Sequence, residues 1–266
     1  MGCNCPNCNH VRVGLESPKW VSSLAIIDDV KRAFWMVDAT PDLSRQYDFL
    51  MSIVPGDYTF EGIILTHAHI GHYLGLVYLG KEAFSAKNIS IIATDRMIQF
   101  LVNNAPFSQL VELGNIRLFP TETSVPIKLT ERLAISLLPV PHRNEFSDTA
   151  AVQISGYQSS LLYVPDIDDW NLWQIGLNNA VTNVSIAILD GTFYNEHELP
   201  NRARNEIPHP TVMETMERLQ SVVDSLSTKV YFTHLNHSNR LWDKGTMVEI
   251  EERGFRVVRP GEQFVL

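Results

Sequence analysis

Three histidines stand within six residues in THAHIGH, at His67, His69 and His72, after the apolar run GIIL. Imidazole is a good ligand for zinc and iron. In extended chain, residues two apart project to the same side, so His67 and His69 face together. His72 falls near the start of a helix and turns back toward the pair. A lone histidine is more often a hydrogen-bonded core or surface residue. Three after a buried strand form a desolvated trio that asks for a counter-ligand. More ligating residues recur where apolar strands end: His142 after ISLLPVP, Asp166 after SLLYVP, Asp190 after SIAIL, Asp38 after FWMV and His234 after VYFT. Loops leaving one edge of a rigid scaffold commonly carry sites. A metal held by such residues would yield hydroxide near neutral pH and neutralise negative charge growing on an attacked ester.

A second cluster opens the chain. Cys3, Cys5 and Cys8 are its three cysteines, all within GCNCPNC. They are too few and too close for a disulfide framework and read as metal ligands. Structural zinc takes four ligands. His10, near in sequence, and His237, three residues after His234, compete for the fourth place.

The elements that must position these residues alternate between strand-like and helix-like patterns. SSLAIIDDVKRAFWMVDA reads as two strands around a turn, LSRQYDFLMSI as a helix, and FEGIILT as a buried strand. HYLGLVYLGKEAF, DRMIQFLVNN, DDWNLWQIGLNNA, PTVMETMERLQSVVDSL and KGTMVEIEERG read as helices. NISIIAT, IRLFP, LAISLLPV, TAAVQIS, SSLLYVP, VSIAILD, KVYFT, FRVVR and QFVL read as strands. This order fits packed sheets covered by helices better than one parallel sheet. With no linker or repeat in 266 residues, one domain, 1–266, is expected, with 1–10 as a zinc-binding loop. The net charge of −9 argues against non-specific nucleic-acid binding. No apolar run reaches the ~20 residues of a membrane span, and no signal peptide opens the chain. A cytoplasmic location is expected.

The stations resemble the metallo-β-lactamase superfamily. THAHIGH is similar to its HxHxDH signature with Gly71 in place of Asp; His142 in VPHR, Asp166 in YVPDID and His234 in FTHLNH match the later stations in order. Within the superfamily, GCNCPNC, DGTFYNEHEL, IPHPTVMETME and HLNHSN resemble the branch of the pyrroloquinoline quinone biosynthesis protein B. The phosphonate-pathway cyclic phosphodiesterase and tRNase Z are more distant. The resemblance implies an α/β (α+β) fold, a four-layer αββα sandwich. Several relatives carry a Gly-rich strand before the cysteines, so an edge strand is expected to be missing here.

By the same resemblance, His67, His69 and His142 hold one metal. His72, Asp166 and His234 hold a second, with Asp166 shared. Gly71 removes a carboxylate from the second set, which predicts weaker binding of that metal or a different one. Asp190 and His209 are candidates for protonating a leaving group beside Asp166, and Asp38 for orienting a ligand. The related phosphodiesterase favours His237 as the fourth partner of Cys3, Cys5 and Cys8. The implied cofactors are one structural Zn2+ and one or two active-site Zn2+ ions, with Fe2+ or Mn2+ as alternatives. The expected function is metal-dependent hydrolysis of a small phosphodiester or related ester. The alternatives are an iron-dependent oxygenase acting on a tyrosine-derived substrate, and a catalytically weak metal-binding protein. A small-molecule substrate is expected, with a homodimer left open. Tyr73, Phe146, Trp170, Trp173 and Phe193 lie near the motifs, where aromatics are more often core than pocket lining.

Overall fold

A computed structural model describes residues 2–198 and 206–266. Its contacts fall into two compact units: Val21–Gln158 with Val265–Leu266, and Met1–Trp20 with Ser159–Phe264.

The Val21–Gln158 unit is built on a five-stranded sheet of β1 (Leu24–Asp28), β2 (Ala33–Val37), β3 (Thr59–Ile64), β4 (Ile89–Thr94) and β5 (Ile116–Thr121), in that spatial order. β1 pairs antiparallel with β2, and the other pairings are parallel. All five residues of β2 are buried. That explains why it reads as an unbroken apolar run: a parallel strand covered on both faces needs no alternation. Helices α2 (Leu43–Ile53), α4 (Asp95–Asn103) and α5 (Phe107–Glu112) bury Leu43, Leu50, Met97, Leu101, Phe107 and Leu110 in the core with Ile63 and Ile91 of the sheet. The Thr94 hydroxyl caps α4 by accepting from the Met97 amide. β6 (Ile127–Lys128), β7 (Ala134–Pro139) and β8 (Ala150–Ser155) form an antiparallel ribbon in the same unit.

In the other unit four parallel strands lie in the order β12 (Phe255–Val257), β11 (Lys229–Thr233), β10 (Ile186–Asp190) and β9 (Ser160–Val164). Helix α6 (Leu177–Thr182) packs on α7 (Val212–Ser225), α7 on β11, and α8 (Lys244–Glu252) on β12. A capping box starts α7: Thr211 accepts from the Glu214 amide while Glu214 accepts from the Thr211 amide. Because β2–β5 run parallel, as do β9–β12, the C-terminal ends within each set share an edge, where open α/β sheets place their sites.

Several readings of the sequence change. The N-terminal segment expected as a loop carries helix α1 (Pro6–Arg12), with the Cys5 sulfur as its N-cap. DDWNLWQIGLNNA is not one helix: a 3-10 turn over Trp170–Leu172 is separated from α6 by Gly176, whose φ of +78° breaks the helical path. HYLGLVYLGKEAF divides into α3 (Ile70–Tyr73) and a 3-10 helix Leu74–Leu79 that ends at Gly80. QFVL forms no strand. Leu199 of the DGTFYNEHEL motif lies outside the described residues. Among the described residues no helix is long and apolar enough to cross a membrane.

Candidate functional site

In the Val21–Gln158 unit, His67 and His69 leave the end of β3, and His142 follows β7. Their ring nitrogens converge. His67 Nε2 lies 2.9 Å from His69 Nδ1, and His142 Nε2 lies 3.0 Å from the same atom. Nitrogens sharing a tetrahedral ion at about 2.0–2.1 Å stand about 3.3 Å apart, so the trio is spaced as ligands are. A neutral ring has one proton to give, so crowding three donor-acceptor atoms together is a poor hydrogen-bond design. It suits a cation. His67 and His142 are buried, and His69 is partly exposed. The far nitrogen of His69, Nε2, meets Glu145 Oε2 at 3.3 Å. A backbone amide and this imidazole hold the Glu145 carboxyl below its ordinary range.

Beneath the trio lies Asp38, fully buried at the end of β2. Its φ of +68° is left-handed, a conformation uncommon for residues other than glycine. It accepts from the Thr66 amide at 2.9 Å and from the Thr66 hydroxyl, and its Oδ2 lies 2.7 Å from His72 Nδ1. His72 itself, on α3, is held to this strand end by its carbonyl, which accepts from the Ala39 amide. Gly75 makes the close approach feasible, since a Cβ there would collide with the Thr40 carbonyl.

The Ser159–Phe264 unit gathers Asp166, Asp190, His209 and His234. Asp190 is fully buried and accepts from the Ile167 amide, the Thr192 amide and the Thr192 hydroxyl, while His209 Nδ1 lies 2.8 Å from its Oδ2. Asp166, which follows β9, stands between two rings: His209 Nδ1 is 3.4 Å from its Oδ1 and His234 Nε2 is 3.9 Å from its Oδ2. The second separation is too long for a hydrogen bond and suits two ligands of one ion. His234, with φ +60°, repeats the left-handed geometry seen at Asp38. Such strain is held in place by its surroundings and clusters at functional sites.

The sequence of residues 35–235 matches the model of the beta-lactamase superfamily domain. The chain belongs to the metallo-β-lactamase superfamily. In its PqqB-like branch, the coenzyme PQQ synthesis protein B of Nitrosococcus oceani is 22% identical over 297 aligned residues, covering 99% of this chain and 94% of the relative. The zinc-bound PqqB crystal structure from Methylobacterium extorquens superposes with a TM-score of 0.81 at 17% identity, covering 100% and 95% of the two chains. A diphosphatase of the PhnP family gives a TM-score of 0.66 at 19% identity, covering 100% and 92%. The mixed α/β fold is thus the one expected of this superfamily.

The cysteine cluster of this metallo-β-lactamase-fold chain is also assembled. Cys3, Cys5, Cys8 and His237 bring ligand atoms within 4.8 Å of one another, and His10 is outside the group. His237 Nδ1 lies 3.5 Å from Cys5 Sγ and 3.7 Å from Cys8 Sγ. Sulfur and nitrogen on one tetrahedral zinc stand about 3.6 Å apart. Burial pushes the Cys5 thiol up, but the Cys8 amide, the His237 ring and the neighbouring thiols outweigh it and bring it from 9.0 down to about 6. The hydrogen bond with Cys5 pushes Cys8 the other way. Asn7 ties α1 to the same turn by donating to the His237 carbonyl at 2.9 Å.

Of the aromatic candidates, Trp170, Trp173 and Phe193 are core, Tyr73 is partly buried, and Phe146 is 63% exposed. Sequence reasoning did not single out Glu145, Thr66 or Thr192. Thr66 was visible as the residue before His67. Nothing local marked the others.

Proposed function

We propose that this chain is a metal-dependent hydrolase acting on a small phosphodiester or related ester. The observation that carries the reading is the approach of His67 Nε2 and His142 Nε2 to His69 Nδ1, each at about 3 Å, three imidazoles that leave a tetrahedral ion one further ligand to take. A divalent cation bound by this trio would supply a Lewis acid for the ester and an activated water at neutral pH. The trio would hold that cation, and Asp38 keeps His72 in register. Zinc is the proposed ion, with iron or manganese as alternatives. His72, and separately Asp166 with His234, are the further proposed ligands, and the glycine at 71 removes a carboxylate from the assignment.

His209 is the proposed proton carrier. The Asp190 carboxylate, beside its Nδ1, stabilises the ring in its protonated form and leaves Nε2 to give a proton to a leaving oxygen. Asp190 is saturated with donors and works through His209. A substrate with phosphorus at its reacting centre is in keeping with the PhnP-family diphosphatase, whose fold the chain shares. The small-molecule substrate, the single-domain organisation, a homodimeric state and a cytoplasmic location, where free thiols stay reduced, belong to the same proposal.

A second reading is an iron-dependent oxygenase. It is favoured by the coenzyme PQQ synthesis protein B relatives, similar over nearly the whole chain, and by a ligand set rich in imidazole with a single carboxylate. A chromogenic phosphodiester assay with added zinc, manganese or iron, run beside oxygen uptake with ferrous iron, separates the two. Hydrolysis lost in His69→Ala supports the first reading. Oxygen uptake without hydrolysis overturns it.

A further inference from the structure

A hydroxyl has one proton to give. Thr66 Oγ1 donates to Asp38, 3.0 Å from each carboxylate oxygen, and Thr192 Oγ1 donates to Asp190 Oδ1 at 2.7 Å. Both carboxylates are fully buried and present only acceptors. With its proton spent, each threonine offers a lone pair to the next neighbour. For Thr66 the nearer ring nitrogen is His67 Nδ1 at 3.0 Å, since His72 Nδ1 stands at 3.4 Å and faces Asp38 at 2.7 Å, and for Thr192 it is His234 Nδ1 at 2.9 Å. A ring nitrogen this close to an oxygen lone pair must carry the hydrogen. The proton then sits on Nδ1 and the ring's lone pair on Nε2.

We infer that Thr66 and Thr192 are positioning residues that lock His67 and His234 in the Nδ1–H tautomer, each presenting Nε2 as a metal donor. The inference rests on the metal-centre reading above. It extends that reading to a device used twice. Each buried aspartate governs two rings, one directly and one through a hydroxyl: Asp38 holds His72 at 2.7 Å and reaches His67 through Thr66, while Asp190 holds His209 at 2.8 Å and reaches His234 through Thr192. The nitrogen that binds a metal is set by the bond the other nitrogen makes. Losing the relayed hydroxyl frees the ring to carry its proton on the metal-facing side, where it blocks coordination.

The test uses the whole 266-residue chain with 15N-labelled histidine, stripped of metal by chelator. Long-range 1H–15N correlation spectra read each ring's tautomer, and competition with a chromophoric chelator reads zinc affinity. His67 and His234 are expected in the Nδ1–H form. Thr192→Val, nearly equal in shape, should move His234 toward Nε2–H and weaken zinc binding about 10–100-fold. Thr192→Ser should restore both readings. Thr66→Val and Thr66→Ser should do the same for His67. A structural role for the methyl group alone would predict that serine fails where valine succeeds. Nε2–H on either ring in the unaltered protein overturns the inference without any variant, as does wild-type zinc affinity in both valine variants. Nδ1–H on both rings in a protein that takes up no zinc sustains the tautomer assignment and removes the metal-centre reading, so the two failures are distinct.

Discussion

Asp38 Oδ2 lies 2.7 Å from His72 Nδ1, with both side chains almost completely buried. Asp38 also satisfies the Thr66 amide, so removing its charge rearranges a closed network. Asn tolerates the left-handed backbone found at this position, so Asp38→Asn should fold. Its amide NH2 would face the His72 N–H, and the ring would turn over its tautomer. Metal content measured by mass spectrometry should fall while the melting curve moves little. Asp38→Ala, which strands buried donors, should lower stability by about 1–3 kcal/mol as well. Full metal content in Asp38→Asn would show that His72 is not a ligand.

Gly71 stands where the superfamily signature has Asp. A Cβ added there meets Val21 Cγ1 at 3.6 Å, an ordinary contact. The backbone therefore accepts a side chain, and the glycine is not demanded by the fold. Gly71→Asp should leave stability within about 1 kcal/mol and tighten a second metal ion. Equilibrium dialysis should show stoichiometry rising at a fixed free-metal concentration. No change in stoichiometry would place residue 71 away from the second ligand set.

Glu145 offers the opposite case to Asp38. It touches His69 Nε2 at 3.3 Å but is half exposed. Solvent-screened pairs contribute little, about 0–1 kcal/mol. Glu145→Gln should thus leave the melting temperature unchanged and reduce metal affinity by no more than a few-fold. A larger loss would mean that the carboxylate does more than steady the ring.

The strand-end residues were legible because buried parallel strands are written as unbroken apolar runs, and the polar residue that ends each run stands out. His67, Asp166, Asp190 and His234 were found this way. The partners of those residues were not legible. Whether Thr192 serves a turn or a histidine depends on His234, 42 positions away, and no local period carries that. The choice of His237 over His10 likewise needed coordinates, or a relative, because sequence proximity favours His10. The broken helix after Asp169 turned on one glycine, Gly176, whose positive φ overrode a helical pattern of apolar residues. α1 was missed since its first turn is capped by a cysteine sulfur, a cap that lies outside the usual Ser, Thr, Asp and Asn signals.

The cysteine site makes the last prediction. Its thiolates belong to an N-terminal segment that α1 and Asn7 fasten to the turn carrying His237. A zinc ion there would close a loop of more than two hundred residues, and its binding energy would be folding energy. Removing it should therefore act on stability first. Cys5→Ala and His237→Ala should each lower the melting temperature and release one zinc, while His10→Ala should do neither. Turnover per folded molecule should stay within a few-fold of wild type in all three variants, because none removes a residue of the histidine trio. Treatment with a strong chelator should reproduce the loss of stability, and added zinc should reverse it. X-ray absorption at the zinc edge supplies the independent reading: sulfur scatterers near 2.3 Å are expected. Their absence from the zinc-loaded protein would show that the three cysteines bind no zinc.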